Sequence, residues 1–359
     1  MIGSTFLMEY KMRWKGLTIF LLIILLCAGG FPQFFPAIQT SVDEQLEGSE
    51  FVDLAVENDT VEISWKTFPN VTEYIVIEDN KTFMLTPTFV YNGTENYTQA
   101  VYDENETQYF AVMAVVAGKT EPVLIGIATT AEGTSPFDQL MESSFYRSFT
   151  GGRDISMTDM TGFLSVEFYS WWFLLAGLYV GYISVSSVAR DFEEKRMDII
   201  FSTPISRKRY LLEKFAALSL YTLITVLLAG GLLITSIISV GEGGNIDQGY
   251  IMLSLIASWP VLLIMQAVGM LSSVYFTESR AAVGMTFMFG FFEYAFQIIA
   301  NMAEKFSYIG DYGILGYWDY HEILYDKVFG IWNFVGLLVV AIVILVSALL
   351  IFDRKDIPV

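Results

Sequence analysis

Uncharged apolar runs of about 20 residues, the length a membrane-crossing helix needs, recur six times along the chain. They fall at 16–38, 168–189, 215–240, 250–277, 281–300 and 328–352. The fifth carries one acid, Glu293, about halfway along. Between the first and second runs the pattern changes. In "VEISWK" and "EYIVIED" apolar residues return at every second position, the spacing of half-buried strands, and pieces such as "DNKT" and "YNGTEN" read as turns. The predicted fold class is therefore an α-helical polytopic membrane protein with six transmembrane helices, plus an all-β sandwich. Three parts follow: 1–38 as an N-terminal segment and first span, 39–162 as the β-domain with its linker, and 163–359 as the five remaining helices. Basic residues ahead of "LTIFLLIILLCAGG" also suit a cleaved leader. The apolar run continues through "FPQFFPAI", however, longer than a leader core.

Composition agrees with this reading, at 54% hydrophobic and 16% aromatic residues. A net charge of −19 argues against nucleic acid as a partner. With Cys27 and His321 the only residues of their types, a disulfide framework, a Cys/His zinc site or a Cys-His catalytic pair is improbable within one chain. Charge also sets the sidedness. The segment 39–162 holds 21 acidic and 5 basic residues, which places −16 of the net charge there. With both termini inside, 13 of the 20 basic residues are cytoplasmic, as the positive-inside rule requires. All six Asn of the acidic segment (Asn58, Asn70, Asn80, Asn92, Asn96 and Asn105) begin N-x-T triplets without Pro, whereas Asn245, Asn301 and Asn333 do not. An external, N-glycosylated domain at an archaeal or eukaryotic cell membrane is the expectation.

The β-domain resembles a fibronectin type III module over about residues 50–130. "VEISWKTFPNVTEYIVIEDN" is similar to that family's second and third strands, with Trp65 at the core-tryptophan position and Tyr74 following. "YDENETQYFAVMAVVAGKTEP" resembles its sixth strand, with Tyr109 at the tyrosine corner and an expected core alternation of Tyr109, Ala111, Met113 and Val115. The stretch 81–100 matches poorly.

The densest charge cluster lies in the short connection 190–214, with seven Lys/Arg and five Asp/Glu. Local chemistry predicts two helices there. Asp191 caps the first, with Glu194 as its reciprocal partner, and Met197, Ile200 and Phe201 share one face. Thr203 caps the second, with Pro204 at its first position. An apolar face beside a charged one suggests docking to a cytosolic protein.

"EEKRMDIIFSTPISRKRYLLEKF" is similar to the cytosolic loop of ABC type-2 exporter permeases. Ser202, Thr203, Pro204, Ile205, Ser206, Arg207 and Lys214 match, and Met197-Asp198 replaces that family's Gly-Thr pair. The resemblance implies a loop coupled to an ATPase through Glu194, Arg196, Met197, Ile200, Phe201, Thr203, Pro204, Ser206, Arg207 and Arg209. It also implies that "FLMEYKMRWKG" forms an interfacial helix along the inner membrane; setting topology alone explains its basic residues equally well. No G-x-x-x-x-G-K-[ST] pattern occurs. The chain is expected to catalyse nothing and to bind no cofactor. ATP and Mg would belong to a partner ATP-binding cassette subunit, and a second permease subunit would complete the unit in the lipid bilayer. An unidentified substrate would move outward. The rival readings are a membrane-anchored surface recognition or adhesion protein, and an ABC machine that transmits force to its external domain without transport.

Glu293, with Gln266 and Gln297 as prospective partners, is a candidate for a substrate pathway. A structural, hydrogen-bonded Glu is the competing explanation. His321 lies in the aromatic loop "GYWDYHEILYDKVFG", which reads first as an interfacial aromatic belt. A metal site with Asp319 and Glu322 is the weaker alternative.

Overall fold

The computed structural model describes residues 4–49, 52–57, 60–68, 71–80, 87–103, 107–117, 122–130, 149, 153, 159–202, 204–276, 278–302 and 304–355. The chain divides into two compact units, one of Met1–Phe35 with Arg147–Val359, the other of Pro36–Tyr146.

The first unit is helical. Its elements are α1 (Ser4–Ser49, assigned here as far as Phe35), α2 (Met160–Glu193), α3 (Met197–Phe201), α4 (Arg207–Ser239), α5 (Gln248–Phe276), α6 (Ser279–Met302) and α7 (Ile331–Arg354). Six of these are long and apolar enough to cross a membrane, and they coincide with the six apolar runs. The segment expected to lie apart along the inner surface is instead continuous with the first span, because α1 has no break between Ser4 and Phe35. α2 and α5 are the most buried spans, and α1, α6 and α7 keep wide apolar faces exposed.

Small residues bring the central helices together. A Cβ on Gly269 of α5 would stand 2.6 Å from the Gly181 carbonyl of α2, and one on Gly181 would stand 2.7 Å from Thr286 of α6. In lipid, where helices gain little from apolar burial alone, such close approach is a main source of association. Ser184 of α2 donates to the Gln266 carbonyl of α5 at the same seam, 2.5 Å away. α2 also contains two π-helical turns, Ser165–Tyr169 and Phe173–Gly177. Between α6 and α7 the chain forms 3-10 turns at Glu304–Tyr312 and Leu315–Tyr317 and a π turn at Glu322–Asp326.

The second unit contains seven strands: β1 (Val52–Glu57), β2 (Thr60–Trp65), β3 (Val71–Asp79), β4 (Thr88–Gly93), β5 (Tyr97–Val101), β6 (Tyr109–Val116) and β7 (Val123–Thr129). All pairings are antiparallel, in one sheet ordered β1-β2-β5 and another ordered β4-β3-β6-β7. The two sheets share one apolar cluster, which includes Val61, Ile63 and Trp65 from β2 and Tyr74 and Val76 from β3. On β6 the expected alternation has the wrong phase. Phe110, Val112 and Ala114 enter that cluster, and Tyr109 is buried outside it. Strand β6 lies between β3 and β7 and is covered on both faces in its first half. Its near-continuous apolar sequence therefore carries no phase. The poorly matching stretch 81–100 supplies β4 and β5.

Candidate functional site

Three helices each bring a pair of polar residues four apart to one place: Glu9 and Arg13 from α1, Ser187 and Asp191 from α2, and Tyr210 and Lys214 from α4. Spacing of four puts both members on one helix face. Lys214 is 3% exposed, Glu9 3% and Asp191 1%. The Lys214 ammonium donates to Asp191 Oδ2 at 2.7 Å, to Glu9 Oε2 at 2.9 Å and to the Ser187 carbonyl. Tyr210 donates its hydroxyl to Asp191 Oδ2 at 2.6 Å. Arg13 pairs with Glu9 and donates to the Ser186 carbonyl. Two acids thus meet two bases, so the buried charges compensate one another. Tyr10 adds a hydrogen bond to the Ala217 carbonyl at 2.5 Å, further joining α1 to α4.

This cluster carries the 190–214 connection. Asp191 is not a helix cap: it stays inside α2 and spends its carboxylate on Lys214 and Tyr210. α2 ends instead with Lys195 in the left-handed region, φ 53°. There Arg196 N–H reaches the Asp191 carbonyl and Lys195 N–H the Phe192 carbonyl, the paired bonds of a Schellman stop. α3 follows with no side-chain cap. α4 starts at Arg207, capped by Ser206, whose hydroxyl accepts from Arg209 N–H at 3.3 Å. Pro204 precedes that helix, so the expected start at Thr203-Pro204 is displaced; Thr203 itself lies outside the described residues.

The expected apolar docking face of α3 is largely turned inward. Met197 is buried, and Phe201 meets Tyr210 and Phe352 with ring centroids 5.6 and 6.2 Å away. Ile200 is half-buried, whereas Asp198 is exposed and Ile199 is 72% exposed. Arg207 donates to the Lys355 carbonyl at 2.6 Å, and Lys208 pairs with Asp353 at 3.1 Å, tying α4 to the end of α7. Lys355 in turn donates to the Val274 and Tyr275 carbonyls at the end of α5, and partial burial lowers its pKa. Arg196 pairs with Glu194, and Arg209 with Glu213 at 2.8 Å.

The pathway candidates do not form one constellation. Glu293 of α6 accepts from Ile314 N–H at 2.7 Å and so anchors the connection that follows its own helix. Gln266 is buried on α5 and donates to the Phe215 carbonyl at 2.8 Å and to Ser219 at 3.2 Å, both on α4. Gln297 lines a separate cleft. His321 is buried with its ring 4.1 Å from that of Tyr320, beside the Arg153–Asp326 ion pair. Burial and the Arg153 charge depress its pKa to about 3. Asp319 accepts from Glu322 N–H, and no metal-type cluster occurs among the described residues. In the β unit, Trp65 and Tyr74 pack 5.5 Å apart. Asn80, Asn92 and Asn96 are exposed; Asn58, Asn70 and Asn105 lie outside the described residues.

Sequence reasoning missed the ion cluster, although its signal was present. Charged residues four apart at the ends of apolar helices need partners. The partner helices lie about 200 residues apart in sequence (Glu9 and Lys214 are separated by 205 positions).

A family model described as ABC-2 family transporter protein matches residues 6–357. No curated protein sequence matches the chain. Among solved structures, a beta-1,2-glucanase from Parabacteroides distasonis aligns at 11% identity over 64% of this chain and 35% of its own, with a TM-score of 0.19. That value is too low to carry an argument.

Proposed function

We propose, from the premise that this chain belongs to the ABC-2 transporter family, that it is the membrane-spanning permease subunit of an ATP-driven transporter. ATP would be hydrolysed by a separate cassette subunit seated on the 190–214 connection, and an unidentified substrate would move outward through a unit built from two such membrane halves. The observation that carries this reading is the attachment of α3. Its outward residues, Asp198 and Ile199, stand free. Its inward residues are locked to α4 and α7, and the Lys214 cluster locks α4 to α1 and α2. A push on α3 therefore reaches four membrane-spanning helices, α1, α2, α4 and α7, without a flexible link.

The 39–162 segment would be an external, glycosylated module of fibronectin type III type. Its strand order and the packed Trp65–Tyr74 pair support that reading, as does the exposure of Asn80, Asn92 and Asn96. Both termini would then be cytoplasmic.

Ile199→Asp tests the coupling surface, because this side chain contributes little to the fold. The variant should keep the wild-type thermal midpoint and lose the ATPase that copurifies with the wild type. Undiminished copurification with full ATPase activity would overturn the assignment of α3 as the docking element.

A further inference from the structure

Strand β4 is an outer strand of its sheet and contains no charged residue. Its pairing with β3 is irregular. Asn92 stands opposite Ile75, Tyr91 opposite Val76 and Phe89 opposite Ile77, so Val90 is an extra residue, a β-bulge. The bulge decides which side chains share a face. Val90 and Tyr91 both pack against the apolar cluster, as Tyr74 and Val76 of β3 do. Ile75 and Ile77 alternate with those β3 residues and face away from the cluster, and Asn92 and Phe89 face away with them. Without the bulge, a spacing of three would put Phe89 and Asn92 on opposite faces.

The two outward residues differ in chemistry. Phe89 is 76% exposed. A bare ring on an uncharged edge strand invites association with other chains unless something covers it. Asn92 is exposed and opens the triplet Asn92-Gly93-Thr94. Residues opposite Ile75 and Ile77 lie about 7 Å apart along the strand, within reach of a sugar ring linked to the Asn92 amide. Tyr91 fixes the turn that follows: its hydroxyl accepts from Glu95 N–H at 2.8 Å and would stand 2.5 Å from a Cβ on residue 93, where the chain has Gly. Neither Asn80 nor Asn96 has an aromatic residue two or three positions before it, and Asn96 donates its amide to the Trp65 carbonyl, 3.2 Å away.

We propose that the first sugar of an N-glycan on Asn92 lies across the Phe89 ring and stabilises the edge of the β unit, an inference that rests on the reading of this unit as external and glycosylated. The linkage forms when Asn92 Nδ2 displaces a lipid phosphate or pyrophosphate from the anomeric carbon of the donor sugar and gives up one proton. A glucose-type pyranose presents a face of C–H groups, whose partial positive charge suits the negative face of an aromatic ring. Its hydroxyls point outward and stay in water. The sugar thereby covers apolar surface that the fold itself leaves bare.

The test uses full-length protein purified from its native membrane. Its readout is amide hydrogen exchange of β3, Val71–Asp79, the strand with which β4 pairs. Removing the glycan by Asn92→Gln, or by Thr94→Ala, which leaves Asn92 in place, should speed that exchange by about two- to tenfold. In a Phe89→Ser background the same removal should change nothing, whereas in a Phe89→Trp background the effect should persist. Phe89→Leu takes the place of Phe89→Ser if the latter misfolds. Equal acceleration with and without the ring, or no acceleration with it, overturns the proposal. A bare Asn92 beside a glycosylated Asn80 or Asn96 also overturns it and leaves the external module standing. No glycan at any of the three sinks both.

Discussion

Lys214 shows what a single residue can hold. Its ammonium is taken out of water and shared between two carboxylates on two other helices. Removing it leaves Asp191 with Tyr210 and a distant Arg196, 4.0 Å away, and Glu9 with Arg13. Lys214→Met should therefore lower stability by about 3–5 kcal/mol, the usual cost of uncovering a buried charge. Replacing Lys214 and Asp191 together (Lys214→Met with Asp191→Asn), which leaves the Glu9–Arg13 pair in place, should recover most of that loss. Thermal unfolding of the purified protein would read both. His321 makes the opposite case, a base kept neutral. Its folded pKa of about 3 lies below the ordinary 6.5. Between these values the unfolded chain binds a proton that the folded protein refuses, so stability falls as pH drops below about 6.5. The slope is about 1.4 kcal/mol per pH unit. His321→Gln should flatten the decline in thermal midpoint between pH 7 and pH 5, and an unchanged slope would refute the assignment.

At the scale of an element, the stop of α2 fixes where α3 can go. Lys195 occupies the left-handed position of a Schellman motif, where a Cβ crowds the following carbonyl. Lys195→Gly should raise stability by about 0.5–1 kcal/mol, net of the extra freedom Gly gives the unfolded chain. Lys195→Val should lower it, since a β-branched residue tolerates that region worst. Comparing melting of the two variants checks the motif directly. Capping logic applied to the sequence placed a helix start at Asp191 because Asp followed by Glu194 fits the local pattern. The pattern was real, but Lys214 is a stronger partner than a free backbone N–H. In the same way, Met197, Ile200 and Phe201 were legible as one face, yet which side that face meets depended on Tyr210 and Phe352. In β6 the apolar run "YFAVMAVV" was legible as a strand, and its phase was not, because both faces of its first half are covered.

At the scale of the whole molecule, the chain joins a helical unit and a β unit of opposite chemical character. Asn80, Asn92 and Asn96 are exposed and within N-x-T triplets, so each can reach a glycosylating enzyme if the module is external. Protein from its native membrane should shift in electrophoretic mobility on enzymatic deglycosylation. Each of Asn80→Gln, Asn92→Gln and Asn96→Gln should remove part of the shift. Full-length protein with no glycan at any of the three would count against an external module.

The sequence by itself determined the six spans, the β module between the first two, and the position of the charged connection. These are properties of local composition and period, which a helix or strand expresses wherever it lies. Only the tertiary structure decided the partners. It placed Glu9 and Asp191 on Lys214, turned Phe201 toward Phe352, and gave Glu293 to the backbone of Ile314 rather than to Gln266. Buried charges and aromatic rings take their role from whatever stands opposite them. In this chain what stands opposite is supplied by helices that meet only when the bundle closes.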